Sequence, residues 1–422
     1  MNEIKRKIWE HPWGYSEGLI VASGIALTGF VLQQVLGNID PVSFGFPINK
    51  IIGAIFIISI VVLYFLLKQS KIIRWLSSGY STIPAICVLL VFTIIMGIIP
   101  QFSDSSMVNE LPQDVFNLFG LYQTTTSWIF ILLSFYLLTI LGFTILRRTQ
   151  RKQTWRDIGF YLNHAGLFIA FLAGILGSAD LQKLNMRVSE GNVEWRALNN
   201  NNEIVELPIA IQLDTFIIEE YPPTLALIDN RTGKMLPVKK PEIYHYDEKN
   251  TKFTLVDKTI EILQYYPSAA ILKDSQNIGV FEFYKEGATS VLFIRVTGKD
   301  QSNPVQGWVS CGSFLFPNNV LYIDENTSAV MPKLDVKRYQ SEVTVFTKNG
   351  DTKRQSIEVN KPMTVEGWKI YQLSYDTTKG KYSDISIFEL VHDPWQWAVY
   401  IGIFMLLGGA IFLFVAGPKK RE

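Results

Sequence analysis

The sequence predicts an integral membrane protein with six transmembrane α-helices, five before and one after a large extracytoplasmic, antiparallel β-rich domain. Three observations lead there. Apolar residues make up 48% of the 422-residue chain, and they gather in long blocks at both ends around a middle of ordinary polar composition. Each block is near the length a helix needs to cross a hydrocarbon core. The middle carries short period-two alternations bounded by turn residues, and helical periodicity is weak there.

The spans fall at about residues 18–37, 51–67, 83–99, 128–146, 158–178 and 395–415. The first opens behind Lys5, Arg6 and Lys7, as a secretory signal does. NIDPVSFGF follows it and offers no small-residue cleavage site, so it reads as a retained helix. Orientation follows from the lysines and arginines of the short loops. Lys5, Arg6 and Lys7 precede the first span, and Lys68, Lys71 and Arg74 lie between the second and third. Arg147, Arg148, Arg151, Lys152 and Arg156 lie between the fourth and fifth, and Lys419, Lys420 and Arg421 follow the last. The alternate loops are almost free of positive charge: residues 38–50 carry Lys50 alone and residues 100–127 none. With six spans, all four basic segments share one side. Both termini are therefore expected in the cytoplasm and the middle domain outside, in a multi-pass protein of the cytoplasmic (inner) membrane.

In the middle domain, residues 208–219 (PIAIQLDTFIIE) place Ile209, Ile211 and Leu213 on one face. Residues 341–346 (SEVTVF), the turn Asn349-Gly350-Asp351 and residues 355–359 (QSIEV) read as a hairpin. GWKIY from Gly367 and DISIFEL from Asp384 read as further strands. The expected arrangement is an antiparallel sheet packed as a sandwich or an open barrel. TFIIEEYPP from Thr215 and TIEILQYYP from Thr259 look alike; a duplicated unit and two β-rich segments ended by proline account for this equally well. The two cysteines, Cys87 in an apolar span and Cys311 in the middle domain, are not expected to pair, and the sequence holds no Cys-x-x-Cys or zinc motif. A net charge of +1 says nothing about nucleic acid; no basic patch interleaved with aromatics is found, and no nucleic-acid partner is expected. Trp395, Trp397 and Tyr400, behind Asp393-Pro394, read as an interfacial aromatic belt.

His164 lies in IGFYLNHAGLFIAFLAGILGSAD, inside the fifth span. An ionisable side chain there is costly to insert and tends to face a protein interior, a cavity or a ligand. Imidazole is an axial ligand for haem iron and a proton carrier. The plainer reading is a histidine hydrogen-bonded between packed helices, or one titrating near the head groups. In the orientation above, His164 lies about 9 Å inside the cytoplasmic end of its helix, at the helical rise per residue. Of the other histidines, His11 is expected to be solvated, His245 to sit in a loop, and His392 to lie at the outer interface beside Asp393. Gly166, Gly174 and Gly177 leave room on the fifth helix for a flat ligand or for close helix packing.

Several segments, taken in order, resemble the ResB (CcsB) family of cytochrome c biogenesis proteins, a component of the system II haem-attachment pathway. Gly97-Ile98-Ile99-Pro100-Gln101 is similar to the family's G-x-x-P-Q helix exit. The segment from Phe119 (FGLYQTTTSWIFILLSFYLLTILGFTILRR) looks like its second core helix, and Asn163-His164-Ala165-Gly166-Leu167 like its His-x-Gly helix start. LPIAIQLDTFIIEEYPP from Leu207 resembles the opening of its extracytoplasmic domain. Asn360-Lys361-Pro362, GWKIYQLSYD from Gly367 and His392-Asp393-Pro394 resemble its close. The resemblance divides the chain into an extra N-terminal helix pair (residues 1–80), core helices (81–180), the β-rich domain (181–393), and a last helix with a basic tail (394–422).

The family resemblance implies a haem-handling subunit that delivers haem b, as a transported substrate, across the bilayer for thioether attachment to Cys-x-x-Cys-His apocytochromes. The tryptophan-rich segment of that pathway is missing here, which implies a CcsA-type membrane partner. His164 is then a candidate axial ligand to the haem iron, with Asn163 or a backbone carbonyl fixing its ring, and His392 a weaker candidate after transfer. The sequence holds no nucleophile or paired carboxylates in a recognisable arrangement, so a catalytic role for this chain stays open. Two other readings stay open: a membrane-anchored extracytoplasmic binding or sensor module, and a transporter working alone. The latter is disfavoured by the lack of an inverted repeat and by the single ionisable residue deep in any span.

Overall fold

The computed structural model describes residues 9–102, 112, 114–273, 278–298 and 303–416. Lys5, Arg6, Lys7, Lys419, Lys420 and Arg421, on which part of the orientation argument rests, lie outside them. The chain divides into two compact units. The first comprises Met1–Lys183, Asn199–Glu203 and Val391–Glu422; the second comprises Leu184–Leu198 and Ile204–Leu390.

The first unit is helical: α1 (Tyr15–Leu36), α2 (Ile48–Leu67), α3 (Lys71–Leu76), α4 (Gly79–Ile98), α5 (Val115–Leu118), α6 (Trp128–Thr149), α7 (Asp157–Gly177) and α8 (Gln396–Ala416). Six of these, α1, α2, α4, α6, α7 and α8, are long and apolar enough to cross a membrane, which suggests a multi-pass membrane protein. A helix suits such segments because it satisfies its backbone hydrogen bonds internally. Small residues let the helices approach closely. Pro84 lacks the N–H that would bind the Tyr80 carbonyl, and α1 packs there at Gly18, where a Cβ would stand 2.3 Å from that oxygen. The short α3 and α5 were not anticipated from the hydropathy. The fourth span, expected at residues 128–146, is α6, which starts at Trp128, and the stretch from Phe119 leads into it through a turn. Gly120 adopts φ +66°, residues Leu121–Thr126 form a 3-10 turn, and Ser127 Oγ caps α6 by accepting from the Phe130 N–H at 3.3 Å. The fifth span, expected at residues 158–178, is α7, which begins at Asp157, so His164 sits about two turns inside it, close to the depth expected.

Hydrogen bonds sort the loops into two ends. Arg147 donates to the carbonyls of Arg74 and Ser77, each at 3.1 Å, so the basic loops after α2 and α6 lie together. At the other end, Ile39 N–H donates to the Thr126 carbonyl at 2.9 Å, and Asn38 bonds Gln33 and Gln123.

The β-rich part holds β1 (Gln182–Ser189), β2 (Val193–Leu198), β3 (Ile204–Glu220), β4 (Thr224–Asp229), β5 (Ile243–His245), β6 (Lys252–Leu255), β7 (Lys258–Lys273), β8 (Ile278–Glu282), β9 (Thr289–Gly298), β10 (Val305–Ser310), β11 (Leu321–Tyr322), β12 (Thr327–Val330), β13 (Val336–Thr347), β14 (Thr352–Glu358), β15 (Met363–Val365), β16 (Trp368–Tyr375) and β17 (Ile385–His392). Eight of them form one sheet, in the order β14-β13-β3-β2-β1-β17-β16-β15. Its β14 lies against β15 and β16 at the opposite end, so the sheet curls around its own core of Met186, Ile209, Ile211, Leu213, Val343, Phe388 and neighbours. Ile209, Ile211 and Leu213 share the buried face, as the period-two pattern predicts. β13 and β14 form the expected hairpin, with Val343 opposite Gln355. A four-stranded sheet (β11-β12-β4-β5) and a five-stranded one (β10-β9-β7-β6, with β8 on β7) share a second core around Leu227, Ile260, Leu292 and Val309. Every strand pair with a described register is antiparallel. The two look-alike segments fall in different sheets, and Pro267 sits where the β7–β9 register shifts between Tyr266 and Ala269, the kind of position a strand proline occupies. His245, expected in a loop, instead ends β5 opposite Thr224. Cys87 and Cys311 are both free thiols.

Candidate functional site

The candidate site is built on α7. Its first residue, Asp157, is buried and paired with Arg148 at the end of α6, with Nε to Oδ1 at 2.8 Å. Thr154 closes the turn by donating its N–H and hydroxyl to the same carboxylate at 2.7 and 2.8 Å. A carboxylate in the first turn also faces the positive end of the helix dipole. Arg148 extends over the Phe160 ring at 5.6 Å, Tyr161 meets it edge-on at 5.5 Å, and His164 lies against it as well. The Phe160 and His164 rings stack at 3.9 Å with 24° between their planes.

His164 is half-buried. Its Nδ1 lies 2.9 Å from the Phe160 carbonyl oxygen, one turn back. A carbonyl only accepts, so Nδ1 carries the proton and the neutral ring leaves a lone pair on Nε2. Nε2 has no hydrogen-bond partner among the described residues. The ring is thus held in one tautomer by the backbone and in one orientation by Phe160. Asn163 serves a different contact: its Nδ2 donates to the Gly159 carbonyl at 2.9 Å, and its side chain faces Gly409 of α8. The described hydrogen bonds therefore fix the His164 ring through the carbonyl and not through Asn163. Of the glycines, Gly166 packs on α8, where a Cβ would meet the Gly402 carbonyl at 2.8 Å, and Gly177 packs on Trp395. Gly174 faces open space.

The far end of α7 carries a second arrangement, which sequence reasoning missed. Asp180 accepts from the Phe46 N–H at 2.6 Å, Asn49 Nδ2 at 2.7 Å and Trp395 Nε1 at 2.7 Å, tying the ends of α2, α7 and α8 together. Burial works against its charge, but the bonds from Asn49, Trp395 and Phe46 and the nearby Lys50 outweigh this and hold its carboxyl below the usual carboxylate range. Asn49 is 1% exposed and also donates to the Leu176 carbonyl at 3.0 Å. Beside this knot lies a cavity of about 780 Å³, with Lys50, Gly53, Leu176, His392 and Trp395 among its lining residues. His392, the last residue of β17, is half-buried there. His164 and Leu176 are about 18 Å apart along the helix axis, so His164 and His392 belong to opposite ends of this unit. His11 is exposed, with its ring edge-on to Trp13. Among the described residues no cluster of histidine, cysteine and carboxylate has the makings of a metal site.

The loop after α4 is fastened by Gln101, whose Oε1 accepts from the Thr124 N–H at 3.1 Å while Nε2 donates to the Leu121 carbonyl at 2.8 Å. A proline and a glutamine at this helix exit thus serve to end α4 and to seat the 3-10 turn that leads into α6. Among known proteins, residues 319–388, from the loop before β11 into β17, match the model of the ResB-like family. No curated protein is found to match the chain.

Proposed function

Proceeding from the ResB/CcsB family assignment that this match supports, we propose that the chain is a haem-handling membrane subunit of cytochrome c biogenesis. The family is associated with that process in general. In this reading both termini are cytoplasmic, the β-rich domain is extracytoplasmic in the inner membrane, and haem b is a substrate passed outward for attachment to Cys-x-x-Cys-His apocytochromes. A CcsA-type, tryptophan-rich partner completes the complex. The arrangement of charged loops supports the orientation: the loops after α2 and α6, which share one end, carry Lys68, Lys71, Arg74, Arg151, Lys152 and Arg156, whereas residues 38–47 between α1 and α2 carry no lysine or arginine.

One observation carries the reading. His164 is an ionisable side chain inside a membrane-crossing segment, with Nδ1 bound to a backbone carbonyl and Nε2 left as a donor of a lone pair. That is the tautomer an imidazole adopts when it ligates iron. Asn163, which secures the α7–α8 contact next to it, would act on the site by holding the helix in place, and His392 would act only at the opposite end. The test is co-expression with the CcsA-type partner in a host that lacks its own cytochrome c maturation. Co-purified complex with a bis-histidine haem spectrum, and holocytochrome formed only when both chains are present, is the expected result. Holocytochrome made by the partner alone, or a complex without haem, would overturn the proposal.

A further inference from the structure

The cavity at the Asp180 end is an elongated slot along a membrane-crossing helix. Lys50, Gly53, Ala54 and Ile57 line one wall. Their spacing of three, four and seven residues places them on a single face of α2. Leu172 and Leu176 of α7 and the Trp395 ring form the facing wall. From Lys50 to Ile57 the slot descends about 10 Å at the helical rise, into the part of α2 that is apolar on every side. Its lining there is apolar, and α2 and α7 close on each other at its inner edge, where a Cβ on Gly53 would stand 2.7 Å from Leu176 Cδ1. The mouth is edged by exposed apolar side chains, Val42 at 79%, Phe46 at 68% and Trp397 at 66%. These are costly to leave in water and well placed at a bilayer interface.

The charges at the rim are unequal. The Asp180 carboxylate is already engaged by three donors. The Lys50 ammonium sits over the Phe46 ring at 4.7 Å, on an exposed residue, and can turn its three N–H donors to an anion. An apolar slot at membrane depth, with a single lysine at its mouth and tryptophans beside it, is complementary to one class of molecule. We propose that it holds a phospholipid with an anionic head group, one acyl chain lying along Ala54 and Ile57 and the phosphate at Lys50. This site goes beyond the haem-handling reading and is independent of it. The bound lipid would cover the Ala54 and Ile57 face of α2 beside the Asp180 knot.

The probe is phosphatidylglycerol. The full-length protein is purified from nanodiscs containing equal phosphatidylglycerol and phosphatidylethanolamine, and retained lipid is read by native mass spectrometry. The wild-type chain should retain one phosphatidylglycerol. Lys50→Gln should lower that retention about fivefold, the worth of one lysine near an anionic head group, and lower phosphatidylethanolamine retention less, because that head group's own ammonium offsets the charge of its phosphate. Ala54→Phe, at an exposed position, should fill the slot and abolish retention of both lipids. Each variant is checked for an unchanged unfolding midpoint in detergent, and if Ala54→Phe fails that check Lys50→Gln decides alone. Equal phosphatidylglycerol retention by wild type and Lys50→Gln would refute the proposal. So would added haem displacing the lipid with a spectrum that depends on His392, which would make the slot a porphyrin site. Loss of haem spectra in the complex with lipid retention intact would sink the haem-handling reading alone.

Discussion

Replacing His164 with alanine separates a ligand from a packing residue, because the two roles differ in size and in readout. The structural loss can be worked out from its contacts. The side chain gives up one hydrogen bond to the Phe160 carbonyl, and that oxygen keeps the ordinary helical bond from the His164 backbone N–H, so no buried acceptor is orphaned. This loss belongs at the low end of the usual range, about 0.5–1 kcal/mol. The stacked contact with Phe160 at 3.9 Å adds about 0.5–1.5 kcal/mol. A total of about 1–2.5 kcal/mol should leave the protein folded and its complex assembled. Haem occupancy is a different matter: removing the proposed axial nitrogen should lower bound haem by more than tenfold, which takes just about 1.4 kcal/mol of binding. The assay is haem per complex by pyridine haemochrome, alongside the melting temperature and the yield of holocytochrome. Imidazole in the medium should restore part of both haem and activity by replacing the ligand atom alone. If His164→Ala keeps full haem occupancy and assembly, or loses stability without responding to imidazole, the ligand role is refuted.

Other expectations follow from single contacts. Gly166→Leu should disrupt the α7–α8 pair, because the new side chain would start 2.8 Å from a backbone carbonyl; folded yield and melting temperature should both fall, while Gly174→Ala, facing open space, serves as the silent control. Gln372→Leu should destabilise the curled sheet by about 1–3 kcal/mol, since it breaks a buried set in which Ser341 and Ser386 donate to Gln372 at 2.5 and 3.1 Å; an unchanged denaturation midpoint of the β-rich unit would contradict this. Asp180 has a lowered folded pKa, so its contribution is complete above the unfolded value of about 3.9 and is lost as pH falls through the folded value. Stability should be insensitive to this group between pH 5 and 8 and decline below about pH 4, and Asp180→Asn should remove that decline in a pH series of melting curves. A reporter inserted at Asn200 should be active only outside the cytoplasm, and cytoplasmic activity would reverse the proposed orientation.

The spans and the strands were legible because each depends on nearest neighbours in the chain. A run of twenty apolar residues needs a helix to satisfy its own backbone in lipid, and the alternation at Ile209, Ile211 and Leu213 has to put those side chains on one face. His164 was legible for a related reason, since an ionisable residue in an apolar run is conspicuous without any knowledge of its surroundings. What holds its ring was only half legible. The i−4 carbonyl is available to any helical histidine, but whether Asn163 turns to that ring or to Gly409 depends on where α8 lies.

Composition, period and charge in the sequence thus determined six apolar helices, an antiparallel β-rich middle and one suspect histidine. Only the tertiary structure decided that Asp180 gathers Phe46, Asn49 and Trp395, partners 134, 131 and 215 residues away. It also decided that Gly53 packs on Leu176 beside a cavity lined by Lys50 and Ile57, and that Ser341, Gln372 and Ser386 meet in one core. These contacts join residues far apart in the chain, and each exists because separate elements packed to bury their apolar faces. Local pattern sets the faces, but the choice of which faces meet is made by the whole fold.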